Sequence, residues 1–141
     1  MALNCKIDII YFMKKIIFSI FLILFFSTSV NAEWTKVVES TNGDILYMDK
    51  QTLKIGKNTR FILYMFDYLK PSKYGDRSSR SYREINCNNM MVRDLVKDYF
   101  ILPFAKGDTS EGSGTVKNPE WKYQSPSSIG GILNNKVCEM K

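Results

Sequence analysis

The sequence contains no histidine in its 141 residues. That excludes Ser-His-Asp and Cys-His catalysis, a histidine general base and any His-ligated metal centre. Cysteine is scarce, with three in all and no C-x-x-C pair, so a two-cysteine metal site would lack its usual co-ligands. The glycines of the 106–119 region do not fall into G-x-x-x-x-G-K, which removes the backbone cradle that nucleotide phosphates need. Paired carboxylates are the remaining route to acid–base chemistry. Asp94 and Asp98 share a face whether their segment is helical or extended, about 13 Å apart at a strand's rise, and they are read as solvated surface charge. No catalytic residue, metal ligand or cofactor is assigned, and the protein is expected not to be an enzyme. No internal repeat and no second domain is visible.

What is present begins with one apolar run. Lys14-Lys15 precedes Ile16–Phe26, and small and polar residues then close on Val30-Asn31-Ala32. Charge, a short greasy stretch and a small-residue cut site make residues 1–32 a secretory signal peptide, with the true start at Met13 and cleavage after Ala32. The run is shorter than the ~20 apolar residues that span a bilayer. No cysteine follows it, so no lipid attachment site and no membrane anchor is expected after cleavage. The exported domain is 33–141, one domain with room for a core. Removing Lys6, Lys14, Lys15 and Asp8 lowers the formal charge of +6 by two, a mild excess for which nucleic acid is not an expected partner.

Export decides the reading of the cysteines. Cys5 leaves with the leader, and Cys87 and Cys138 remain in an oxidising compartment, which predicts a disulfide between them. Closing a loop of about fifty residues would stabilise the domain by about 4 kcal/mol in the chain-entropy description.

Along 33–141, residues 34–49 read as a hairpin turning at Asn42-Gly43. Residues 50–58 are polar and read as a connection with room for one helical turn. Residues 60–70 are apolar on both faces, with Phe61, Leu63, Met65 and Leu69 on one and Ile62, Tyr64, Phe66 and Tyr68 on the other. That pattern predicts a central strand covered on both sides. Residues 71–76 are a loop, and 78–87 a polar strand with its ends or one face in water. Residues 90–101 fit helix by spacing and strand by composition, and Pro103 stops either. Residues 106–119 read as a flexible loop. Ser127 or Ser128 can cap a short helix reaching Lys136, with Cys138 just beyond it and Gly130-Gly131 weakening it.

One surface is singled out. Between Lys70 and Arg83 the chain carries Lys70, Lys73, Arg77, Arg80 and Arg83 with two tyrosines and one acid. Arginine forks suit sulfate and phosphate, so this patch is the candidate partner surface for an anionic glycan or an acidic protein segment.

The order of motifs resembles the surface-adhesin protein E family of Gram-negative bacteria. It runs from Trp34 at the mature start through Tyr47-Met48-Asp49, a long aromatic strand and Glu84-Ile85-Asn86-Cys87. A glycine-rich loop, Trp121 before Ser125-Pro126-Ser127-Ser128, and Cys138 complete it. The resemblance implies an α+β fold, a single antiparallel sheet with a C-terminal helix on one face tethered by Cys87–Cys138, and it tilts residues 90–101 towards strand. It further implies an exported binding protein acting on host matrix or serum proteins such as vitronectin and laminin, with room for a homodimer. The missing lipidated cysteine leaves the final location as periplasmic, secreted or cell-surface. The competing expectation is a periplasmic domain that binds a small ligand or an envelope component.

Overall fold

A computed structural model describes residues 13–17 and 32–141. The expected leader lies outside the described residues apart from 13–17, which are helical and exposed, and Ala32. The chain divides after Asn31 into two units, and the sheet and C-terminal helix belong wholly to the second. Among the described residues, no helix is long and apolar enough to cross a membrane.

Six strands form an antiparallel meander in chain order. They are β1 (Trp34–Glu39), β2 (Ile45–Ile55), β3 (Thr59–Asp67), β4 (Ser78–Asn86), β5 (Met91–Leu102) and β6 (Lys106–Thr109). Two short strands, β7 (Gly114–Thr115) and β8 (Lys122–Tyr123), also pair with β5. The first hairpin turns at Gly43, whose φ of 88° is open to glycine at little cost. Helix α1 (Ile129–Glu139) follows β8 and covers one face. Beneath it lie Leu46, Met48, Ile62 and Ile85, all fully buried with Leu133 and Val137 of the helix. Each such side chain contributes roughly 1.5–3 kcal/mol.

β4 is where sequence expectation and structure part. Its polar composition suggested a strand meeting water, yet it is hydrogen-bonded on both edges, by β3 and β5. Ser78, Ser79, Ser81, Arg83, Glu84 and Ile85 are buried. The polar groups tolerate this because partners answer them. Ser78 Oγ donates to the Leu102 carbonyl and accepts from Ala105 N–H, Ser79 bonds Tyr68, and Glu84 accepts from Arg93.

β5 settles the open reading of 90–101 as a strand. It also carries a bulge. Tyr82 pairs with Val96 but Arg83 pairs with Asp94, leaving Leu95 as the extra residue. One inserted residue reverses the faces beyond it. Asp94 therefore faces Arg83 while Asp98, across the sheet, faces Arg80, so the two acids neither share a face nor stand in solvent as expected. Each is taken up by an arginine, at 2.7 Å for Arg83–Asp94 and 2.9 Å for Arg80–Asp98.

Three further expectations are corrected. Residues 50–55 continue β2 with no helical turn. Where the β2–β3 ladder shifts register between Asp49 and Lys54, Thr52 Oγ1 donates to the Asp49 carbonyl and accepts from Leu63 N–H. Within 106–119, β6 and β7 add to β5, whose backbone offers pairing whatever the side chains. The central strand β3 is covered on the helix side, but on the other face only Met65 is buried, with Phe61 and Leu63 half-buried.

Helix α1 is capped as expected by Ser128, whose hydroxyl accepts from Gly131 N–H at 3.0 Å. Cys138 lies within its last turn and is bonded to Cys87, with the Cα atoms 5.7 Å apart. The paired glycines have a packing role. A Cβ on Gly131 would overlap the Ser125 carbonyl and Pro126, and one on Gly130 would overlap the Gln124 side chain. Helix propensity favours alanine by about 1 kcal/mol, but such overlap typically costs about 1–3 kcal/mol or more. Gly131→Ala is therefore expected to destabilise the domain, read as a lower urea midpoint with an unchanged slope; a raised midpoint would contradict the packing account.

Candidate functional site

A polar cluster forms where β3, β4, β5 and the segment before α1 meet. Arg83, on β4, sends Nε to Asp94 Oδ1 at 2.7 Å and Nη2 to Asp94 Oδ2 at 3.2 Å. Nη2 also donates to the Tyr64 hydroxyl at 2.8 Å, and Nη1 to Gln124 Oε1 at 2.9 Å. The same Gln124 oxygen accepts from Asn134 of the helix at 2.9 Å. The guanidinium also lies 4.5 Å from the Tyr64 ring centre. One arginine thus joins the two central strands, the β5 edge and the helix entry.

Burial and charge oppose one another in this cluster. Burial pulls the Arg83 guanidinium down, and Tyr64 and Asp94 more than offset it, so its value is raised. Burial pushes the Asp94 carboxyl up, but the hydrogen bond and charge of Arg83, with Lys97 at 3.3 Å, outweigh it and leave the value lowered. Burial pushes the Tyr64 hydroxyl up, above the ordinary tyrosine range. Tyr64 stays neutral, Arg83 stays charged, and no proton is poised to move near neutral pH.

Residues of the segment 116–124, whose Lys122 and Tyr123 pair with β5, line with β5 an open cleft of about 380 Å³ that shares Arg83, Asp94 and Gln124 with this cluster. Arg83, Arg93, Lys97 and Lys122 line it together with Asp94 and Glu120. Arg93 is itself bonded to Glu84 and stacked on Trp121 at 4.5 Å. The gathering of Arg93, Lys97 and Lys122 escaped sequence reasoning because it depends on β8 pairing with β5, a contact across some thirty residues with no local signature.

The five residues of the sequence-based patch separate. Lys70 and Lys73 remain exposed on the β3–β4 loop, with the Lys73 ammonium 4.7 Å from the Tyr74 ring. Arg77, at the end of that loop, is half-buried. Arg80 and Arg83 leave the loop for opposite faces of β4, and both are paired; Arg83 is only 6% exposed, so it belongs to the interior. The loop itself is built on Asp76, a buried carboxylate that accepts from Ser72 and from Ser110 across the sheet end. Gly75 closes it at φ 88°. Tyr74 is thereby held 77% exposed. Beside it lies a cleft of about 510 Å³ formed with Asp76, Tyr99 and Ser110.

The sequence model of the surface-adhesin protein E family matches residues 34–139. Among solved structures, the crystal structure of protein E from non-typeable Haemophilus influenzae superposes with a TM-score of 0.53 at 17% identity, covering 79% of this chain and 78% of that one. A second crystal form of Haemophilus influenzae protein E gives 0.54 at 17% identity, with 79% and 91% covered. No curated protein matches the chain.

The lowered Asp94 value fixes the sign of a pH effect. A depressed carboxylate contributes stability in full above its unfolded value near 3.9, and the contribution is lost as pH falls through the lower folded value. At neutral pH, Asp94→Asn is expected to cost about 3 kcal/mol by leaving Arg83 buried without its counter-charge. Below about pH 4 the gap should narrow as the native protein loses the pair. Urea unfolding across the acid range checks this, and parallel pH profiles for the two proteins would contradict it.

Proposed function

The chain belongs to the surface-adhesin protein E family, and on that basis we propose that it is an exported, non-enzymatic binding protein that engages host matrix or serum proteins of the vitronectin and laminin kind. The observation that carries this reading is the β3–β4 loop. It is held in one shape by Asp76 and presents Lys70, Lys73 and Tyr74 outward before any partner arrives. A preorganised loop loses little entropy on binding. Tyrosine with flanking lysines suits a partner carrying acidic or sulfated groups.

A second reading, a periplasmic domain that takes a small ligand or an envelope component, is favoured by the cleft between Arg83 and Lys122. The two readings differ in where the protein is met. A protein that remains inaccessible to protease on intact cells acts as the second, whereas digestion of the domain on intact cells supports the first.

The direct test is a biosensor titration of residues 33–141 against immobilised vitronectin and laminin. Binding at micromolar protein is expected. Replacing Lys70, Lys73 and Arg77 by glutamine should weaken it about tenfold and flatten its dependence on salt. Arg80 and Arg83 are left intact because both are paired within the sheet. Flat traces with the native protein, or unchanged binding by the triple variant, would contradict the assignment.

A further inference from the structure

The opposite end of the sheet holds a second surface. β2 and β3 meet in a tight turn, with Gly56 N–H bonded to the Thr59 carbonyl at 2.9 Å and Ile55 paired to Arg60. Lys54, Lys57 and Asn58 are exposed at its tip, and Arg60 folds back so that Nη1 donates to the Gly56 and Thr59 carbonyls. Ile55, between the two lysines, is 52% exposed.

This tip carries an excess of basic residues, with Glu33 near its base on Gln51 and Glu139 at the adjoining helix end. From Lys50 to Phe66 the chain has no acidic residue. The neighbouring β4–β5 turn, reached through the bond from Cys87 N–H to the Asn58 carbonyl, has none between Cys87 and Met90. Across the disulfide, the last turn of α1 adds exposed Lys136 and the exposed acid Glu139. Neither Lys54 nor Lys57 is paired with an acid among the described residues. By contrast, the β3–β4 loop end carries Asp44, Asp67, Asp76, Asp108 and Glu111 alongside its lysines, so charge is polarised along the strand direction.

We propose that the β2–β3 tip is a docking surface for an anionic lipid bilayer. Lysines near an anionic leaflet each add attraction that fades within a Debye length. An exposed isoleucine between them gains by entering the headgroup boundary, where a soluble polyanion would offer it nothing. The tip is a turn at the end of the sheet, and it lines none of the clefts described above, as suits contact with an extended surface. Docked this way, the protein would present its β3–β4 loop away from the membrane, at the far end of the strands.

The test uses residues 33–141, which contain every strand described and helix α1, in flotation with vesicles of pure phosphatidylcholine and of phosphatidylcholine mixed with phosphatidylglycerol. Binding to the mixed vesicles alone, weakened by added salt, is expected. Lys54→Gln with Lys57→Gln should reduce it roughly thirtyfold, and Ile55→Ser several-fold, with far-UV circular dichroism unchanged because all three side chains are exposed. Soluble heparin is the competing arm. Equal binding to both vesicle types, no binding to either, or a double variant that loses heparin while keeping vesicles would overturn the proposal.

Discussion

The buried ion pair between Arg83 and Asp94 is the constraint on which the arrangement of the sheet depends. The guanidinium of an arginine that is 6% exposed is costly to bury, and the cost is met only when nearly all of its donors are used. Asp94, Tyr64 and Gln124 use them, and each comes from a different part of the chain. Because Asp94 must face Arg83, the bulge at Leu95 is required, and the bulge in turn sends Asp98 to the other face to meet Arg80. The register of β5 on β4 is thus set as much by charge as by apolar pattern. Replacing such a network by apolar residues would cost little in principle, whereas removing one partner alone leaves a buried charge unanswered.

The helix is fitted to the same network. Gln124 can reach Arg83 because Gly130 has no side chain to displace it, and the chain can double back at Ser125 and Pro126 because Gly131 has none either. Ser128 then starts the helix and the bond from Cys138 to Cys87 closes its far end. The helix is therefore fixed at entry by hydrogen bonds and glycine packing, and at exit by a covalent tie worth about 4 kcal/mol for a loop of this length. Fixing the helix leaves both ends of the sheet free for surface roles. One end carries the Tyr74 loop, hydrogen-bonded through Asp76, and the other the lysine tip.

Much of this was legible in the sequence where local chemistry decides. The Asn42-Gly43 hairpin, the apolar β3 and the Ser128 cap follow from residues close together in the chain, whereas the disulfide, whose cysteines are 51 residues apart, follows from there being two cysteines in the exported domain. The order of motifs from Trp34 to Cys138 gave the sheet with its tethered helix. What escaped was decided at long range. β4 reads as a solvated strand because Ser, Arg and Glu are ordinarily exposed, and only the partners 11 to 41 residues away make it an interior one. The candidate patch was split for the same reason, since Arg80 and Arg83 look like surface charge until Asp98 and Asp94 are placed opposite them. A one-residue bulge has no composition signal, and the strand pairing of 106–115 rests on backbone groups that the side chains do not announce. The lysines of the tip were readable as charge, but their place at the end of the sheet opposite the Tyr74 loop depends on how the turns pack.

Native-state hydrogen exchange followed by mass spectrometry tests the central claim most directly, since it reads how deeply β4 sits in the cooperative unit. If the polar strand is an interior strand held by the Arg83 network, the amides of Ser79–Ile85 should exchange as slowly as those of β3 and far more slowly than those of the exposed β6. Exchange of Ser79–Ile85 at the rate of β6 would contradict the account.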